Sequence, residues 1–230
     1  MCGFGNDKQP VLILASASPR RRQLLALMGL PFDVRPTDVE EGNHGGQGPE
    51  EMAVRLSRLK ARAVARTTLA GLIIAADTLV YLDGEVLGKP ASSGEATGML
   101  RQLRARPHEV FSGVTLVDTQ SDVERTMLAR TTVWMRDYTD AEIAAYVASG
   151  DPMDKAGAYA IQHKALSPVE RINGCYANVM GLPLCHLYCM LGRAGHTLEV
   201  APVAACDHFN QRTCDVAQNI LHMACDESYS

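Results

Sequence analysis

The sequence predicts an α/β protein in which strands and helices alternate, and three stretches carry that reading. The apolar run VLILA at 11–15 passes through the hydroxyl-rich SAS into PRRRQLLALMGL, a buried strand feeding a helix that opens on Pro19 and stops at Gly29. PEEMAVRLSRLKARAVART, from Pro49, places Met52, Leu56, Leu59 and Ala63 on one helical face with basic residues elsewhere. GLIIAADTLVYLDGEVLGK then reads as a strand ending near Asp77 and a hairpin turning at Asp83-Gly84, a dipeptide suited to tight turns.

The remaining elements follow in order. A strand is expected over 32–35, and EEGNHGGQGPE from Glu40 reads as a glycine-rich loop. Residues 93–103 have helical character. Residues 110–117 and 123–135 alternate well enough to form two long antiparallel strands joined around DTQS. Thr139 and Glu142 are spaced as a capping box for a helix through Val147. The small-residue stretch DPMDKAGAYAIQ at 151–162 precedes VERINGCYANVMGLPL, which enters a terminal helix near Met190, and a short helix is expected over 214–224.

Composition sets the bounds on function. The chain has 230 residues, 47% of them apolar and 21% charged, enough for a sizeable core and an ordinary globular balance. Its formal charge of -4 argues against stable nucleic-acid binding, which needs a basic excess. Any phosphate chemistry is therefore local. No apolar run approaches the ~20 residues of a membrane span, and MCGFGNDKQP lacks the features of a secretion signal or a myristoylation site. A cytoplasmic protein without a membrane partner is expected. The seven cysteines, an odd number, include no C-x-x-C pair, so mostly reduced thiols are expected and a metal site in the cysteine- and histidine-containing tail is disfavoured. Cys185 and Cys189, one helical turn apart, read as small apolar packing residues.

Chemistry concentrates in a few motifs. In SASPRRR, hydroxyls, a helix N-terminus and guanidinium groups meet at one spot, an arrangement suited to a polyphosphate. Alone, that motif fits an ordinary capped helix with a solvated basic first turn equally well. AADTLV and GEVLGKP add a carboxylate and a lysine in the same strand-end setting, which shifts the balance towards a site. In DPMDKAGAYAIQ, small residues permit close backbone approach while Asp154, Lys155 and Gln162 offer polar groups to a ligand; a packed turn explains the same spacing.

ASASPRR, RLSRLKA, AADTLV, GEVLGKP, DKAGAYAIQ and INGCYANVMGLPL, in that order, resemble the sequence blocks of the Maf-type nucleoside triphosphate pyrophosphatases over roughly 11–192. The resemblance implies a mixed α/β fold like that of the inosine triphosphate pyrophosphatases, with a curved sheet, flanking helices and two lobes around a cleft. It divides the chain into an N-terminal extension at 1–10, a pyrophosphatase domain at 11–194 and a C-terminal extension at 195–230 of no assigned role. It further implies hydrolysis between the α- and β-phosphates, with a divalent cation, Mg²⁺, Mn²⁺ or Co²⁺, as cofactor.

Carried over by resemblance, Ser16, Arg20 and Arg21 hold the triphosphate, and Lys60 and Lys89 neutralise charge on the departing pyrophosphate. Glu41 and Asp77 handle metal and water; Asp77 is the first choice for general base or metal ligand, and Glu40 could exchange roles with Glu41. The arginine after Pro19, Thr78 and Gln162 resemble the branch acting on dTTP, UTP and modified pyrimidine nucleotides, in the service of cleaning nucleotide pools. His163 departs from the glycine usual in the family after IQ, which leaves base selectivity open. The alternatives are a 7-methyl-GTP-type pyrophosphatase, a phosphatase releasing orthophosphate, and a non-catalytic nucleotide-binding regulator tied to septum formation in cell division. A homodimer is left open.

Overall fold

The structure, a computed structural model, describes residues 11–39, 48–196, 198 and 200–225. Its frame is a seven-stranded mixed sheet, in the order β2-β1-β3-β5-β6-β7 with β4 paired to β3. The strands are β1 (Leu12–Leu14), β2 (Phe32–Val34), β3 (Leu72–Leu82), β4 (Glu85–Leu87), β5 (Pro107–Asp118), β6 (Val123–Met135) and β7 (Val169–Asn173). The helices are α1 (Pro19–Ala26), α2 (Pro49–Ala65), α3 (Ser93–Leu103), α4 (Asp140–Ala148), α5 (Tyr176–Met180), α6 (Leu184–Arg193), α7 (Val203–Asn210) and α8 (Ala217–Cys225).

The first three strands are parallel, and their crossovers place one helix on each face of the sheet. Alternation along β1 explains the arrangement: Leu12 and Leu14 pack with Leu24 and Leu25 of α1, whereas Ile13 and Ala15 pack with Ala61 and Val64 of α2. A strand buried on both faces must be apolar throughout, hence VLILA. The long β3, β5 and β6 are antiparallel and run on beyond β1 into a second lobe, where Val80, Val110 and Val133 pack with α3, α4 and Tyr138.

Contact between α2 and the sheet depends on Gly113 of β5. A Cβ there would lie 2.3 Å from the Ala53 carbonyl oxygen, so any side chain would lift the helix off the sheet. Ser57 reinforces the seam by a 2.9 Å hydrogen bond with Thr115. The buried face of α2 is therefore Met52, Ala53, Leu56, Ser57, Ala61 and Val64; Leu59 and Ala63, expected on that face, are half-buried beside it.

Local signals held well where their causes are local. Asp83 and Gly84 both have positive φ, as a tight two-residue hairpin requires, and join Leu82 to Glu85. Thr139 and Glu142 form the expected capping box of α4, and α3 begins on a Ser92 cap. The expectation that a strand ends near Asp77 is corrected: β3 runs unbroken to Leu82 because β5 pairs with it from Leu72 through Tyr81. The short β7, α5 and α7 were not anticipated.

The tail is built onto the domain. Helix α8 lies against α6, and Ile220 packs on the core beneath the sheet. Cys189 is disulfide-bonded to Cys225, correcting its reading as a free packing residue; Cys175, Cys185, Cys206 and Cys214 are free.

His108 of β5 lies buried in the second lobe, with Nε2 sharing a 2.8 Å hydrogen bond with the Tyr159 hydroxyl. Burial lowers its pKa from 6.5 to about 4. The unfolded chain thus binds a proton more readily, so His108 supports the fold fully above about pH 6.5 and this support is lost as pH falls towards 4. We predict that the urea midpoint declines already between pH 6.5 and 5, above the range where carboxylates titrate, and that His108→Gln makes the decline shallower. An unchanged slope in the variant would assign the dependence to other groups.

Candidate functional site

The site lies where β1 stops and β3 continues. Leu14 is the last residue of β1 paired to β3, at Ile74, and β4 takes up pairing only at Val80. Between them, among the described residues, the edge of β3 from Ala75 to Leu79 has no strand partner on that side. A cleft of about 600 Å³ opens there, between the two lobes, with the β1–α1 turn, the 3-10 turns at 151–158, the following loop and the end of α5 as its walls. A ligand crevice at the carboxyl end of a parallel strand is a recurrent feature of α/β sheets.

The structure brings Ser16, Arg20, Arg21, Lys60, Asp77, Thr78, Lys89 and Gln162 to this one cleft. Glu41 and the neighbouring Glu40 lie outside the described residues. Thr37, Asp38 and Tyr159 also line the cleft and were not singled out from sequence.

Asp77 is buried at the cleft floor, 5% exposed, and its carboxylate is ion-paired with Lys60 of α2. It points to the α2 face of β3 at the level of Gly113, so the glycine that lets α2 approach also sets Lys60 against Asp77. Lys60 therefore sits on a carboxylate rather than standing free. Lys89 is exposed just beyond β4, and Arg20 is half-buried in the first turn of α1. Among the described residues, neither has a hydrogen-bond or ion-pair partner, so both cationic heads are available to an anion.

Arg21 differs from Arg20. Its Nε donates to the Gly181 carbonyl at 2.9 Å, one terminal nitrogen to Ser16 Oγ at 3.3 Å and the other to Thr78 Oγ1 at 3.1 Å. Burial lowers its guanidinium pKa, against the opposing pull of Asp77 and with Arg20 adding to the lowering. Gly181 has φ 112°, a backbone conformation that residues with a side chain rarely adopt, and so turns its carbonyl towards Arg21 at the end of α5.

The bonds continue inward. Ser112 Oγ lies within hydrogen-bond reach of the Asn178 carbonyl, at 3.3 Å, and shares a 2.8 Å hydrogen bond with Thr78 Oγ1 in which either hydroxyl can donate. Thr78 Oγ1 accepts one bond from Arg21 and shares another with Ser112, so its hydroxyl is held in place at the cleft. Asn178 in turn donates to the Val110 carbonyl and to Thr131 Oγ1, tying α5 to β5 and β6. Ser112 was missed in the sequence, although a serine beside glycine within an apolar strand is the signal that marks it.

Ser16 Oγ accepts the Ser18 N–H at 3.2 Å, and Ser18 Oγ caps α1 by accepting the Arg21 N–H. Lys155 is buried and held by Asp151 and Asp154, so it braces the 3-10 turns from within. Gln162 stands exposed on the cleft wall.

A buried carboxylate facing a ring of cations at a helix N-terminus, set at the carboxyl end of a parallel strand, defines an α/β protein built to engage a polyphosphate. The family model of Maf-like proteins matches residues 11–194, and the chain belongs to that family. It is 48% identical over 192 residues to the dTTP/UTP pyrophosphatase of Dehalococcoides mccartyi, covering 84% of this chain and 86% of that protein. The dTTP/UTP pyrophosphatases of Geotalea uraniireducens (48% over 184 residues, 80% of this chain and 95% of that protein) and Dictyoglomus thermophilum (46% over 188 residues, 81% and 97%) are similarly related. Among solved structures, the Staphylococcus aureus Ham1 protein overlaps 55% of this chain and 72% of its own, with a TM-score of 0.40 and 18% identity.

The two arginines should separate by experiment. Arg21→Ala orphans the Gly181 carbonyl and unlinks α1 from β3, so it is predicted to lower stability by about 2–4 kcal/mol in urea denaturation. Arg20→Ala should leave the urea midpoint within about 0.5 kcal/mol of wild type, as for other substitutions at unpartnered positions, while weakening nucleotide binding. Equal midpoints for the two variants would refute the distinction.

Proposed function

We propose that this protein hydrolyses nucleoside triphosphates between the α- and β-phosphates, releasing a nucleoside monophosphate and pyrophosphate, with dTTP and UTP preferred. The observation that carries the reading is the buried Asp77 carboxylate set among Arg20, Lys60 and Lys89 in one cleft. A module that merely bound a triphosphate would gain nothing from a carboxylate, which repels the ligand unless a cation intervenes or a proton must be taken. The identity of 46–48% with proteins named dTTP/UTP pyrophosphatase supports the same substrate class.

The cleft suits a hard divalent cation. Its lining contains Asp38, Asp77 and Asp154 together with hydroxyls, and among the described residues no imidazole or thiol reaches it. Oxygen donors of this kind suit Mg²⁺, Mn²⁺ or Co²⁺. Asp77, with Glu41 from outside the described residues, would hold the cation; when bound, such an ion neutralises phosphate charge and acidifies water.

The remaining work falls to side chains. Lys60 fixes the Asp77 carboxylate at the floor, where it either holds the cation or accepts the proton of the attacking water. Arg20, Lys89 and the N-terminus of α1 hold the β- and γ-phosphates and stabilise the charge that moves onto pyrophosphate as the bond breaks. Ser16, already oriented by Arg21, offers its hydroxyl to the same phosphates. No covalent intermediate is needed. Gln162 supplies a carboxamide with both donor and acceptor, complementary to a uracil edge whose carbonyls accept and whose N3–H donates. Thr78 adds a hydroxyl held in place by Arg21 and Ser112.

Replacing Asp77 by Asn keeps shape and removes charge. Turnover, measured as pyrophosphate released from dTTP, should fall by about 10²–10⁴-fold with the circular dichroism spectrum and melting profile retained. Near-normal turnover at every metal concentration would remove Asp77 from the chemistry. Exhaustive chelation should likewise stop pyrophosphate release, and Mg²⁺, Mn²⁺ or Co²⁺ should restore it; full activity after chelation would exclude a cation. Orthophosphate as the primary product would replace this reading by a phosphatase.

A further inference from the structure

Gln162 itself is exposed, so what fixes its direction must lie in the loop around it. That loop, 160–167, is closed on the residue that follows. The His163 N–H donates to the Ala160 carbonyl at 3.1 Å, and the His163 carbonyl accepts from the Ser167 N–H at 2.8 Å. The side chain closes the loop a third time: Nδ1 accepts the Leu166 N–H at 3.0 Å. As the acceptor of this bond, Nδ1 is the ring nitrogen turned into the loop.

The ring has a seat as well as a bond. It packs against Tyr146 of α4, centroids 4.4 Å apart and planes tilted by 53°. Tyr146 anchors the start of the same loop, because its hydroxyl accepts the Ala160 N–H at 3.1 Å while donating to Asp151 Oδ2 at 2.7 Å. At the far end, Arg136 donates to the carbonyls of Leu166, at 2.7 Å, and Ser167, at 3.2 Å. Both ends are thus tied to the second lobe; in the middle, Ile161 packs on the core just before Gln162, and His163 adds a side-chain hydrogen bond and a ring contact just after it.

We propose that His163 is a specificity-positioning residue: its imidazole, seated on Tyr146 and accepting from Leu166, holds the loop in the conformation that presents Gln162 to the base. The proposal rests on Gln162 being the group that reads the base. A side chain at this position that neither stacks nor accepts would leave the segment after Gln162 held only by its backbone hydrogen bonds and the packing of Ile161. Gln162 would then be ordered by the nucleotide at the expense of binding, and bases that use its donor–acceptor pair would lose most.

Two roles of the ring can be separated by substitution. His163→Asn keeps an acceptor close to the position of Nδ1 without the aromatic face, His163→Phe keeps the face without the acceptor, and His163→Ala keeps neither. Steady-state kinetics on dTTP, UTP, ATP and GTP, with amide hydrogen exchange across 160–167, would be measured for these variants and for Gln162→Ala. In His163→Ala, KM for dTTP and UTP should rise by about 5–10-fold, the loss of roughly one net hydrogen bond and its packing. KM for purine nucleotides should move less, kcat should change less than KM, and exchange across the loop should accelerate. His163→Asn or His163→Phe should recover part of both the pyrimidine preference and the protection.

An unchanged pyrimidine-to-purine ratio of kcat/KM in His163→Ala overturns the proposal, as does unchanged exchange of the loop. Gln162→Ala then assigns the failure. If that variant erodes the preference, base reading by Gln162 stands and only the role of His163 falls; if it does not, base reading by Gln162 falls too.

Discussion

The guanidinium of Arg21 is the contact on which the architecture of the cleft depends. A helix that follows a three-residue strand has little to fix its start, and a five-residue helix such as α5 has little stability of its own. Arg21 joins the two through Gly181, and reaches Ser16 and Thr78 with its remaining nitrogens. From Thr78 the bonds pass to Ser112 and on to Asn178, which is anchored on β5 and β6. The wall that faces the phosphates is thereby fastened to the centre of the sheet. Loss of one member of such a network leaves others buried without partners, so its members act together.

The opposite wall is made by packing. Gly113 lets α2 sit directly on β5, and that close contact carries Lys60 to Asp77. One face of β3 thus presents a carboxylate and its lysine, while the next residue, Thr78, turns to the hydrogen-bonded face. Two adjacent residues of one strand serve two sides of the site because side chains alternate along a strand. The break in pairing between β1 and β4 exposes both to the cleft.

Much of the fold was legible in the sequence because its causes are short-range. Pro19, the Asp83-Gly84 pair and the Thr139–Glu142 box each set local geometry whatever surrounds them. The alternation of 123–135 matched β6 at both ends for the same reason. The continuation of β3 through Asp77 was not legible, since two polar residues in an apolar run read as a strand end until the pairing with β5 is known. The buried face of α2 was misjudged by a fraction of a turn, because Gly113, sixty residues away from Ala53, selects which face meets the sheet. The gathering of the motifs into one cleft could be expected from their resemblance to a family; the difference between Arg20, with no partner among the described residues, and the tethered Arg21 could not, as neighbouring identical side chains acquire their roles from tertiary partners. Cys189 likewise met Cys225 only through the packing of α8 on α6.

The central claim is that water attacks the α-phosphorus above Asp77. Hydrolysis of dTTP in ¹⁸O-enriched water, with the products separated and weighed by mass spectrometry, tests it directly. The account predicts one ¹⁸O atom in the nucleoside monophosphate and none in pyrophosphate. Label in pyrophosphate with unlabelled monophosphate would place the attack on the β-phosphorus and contradict it.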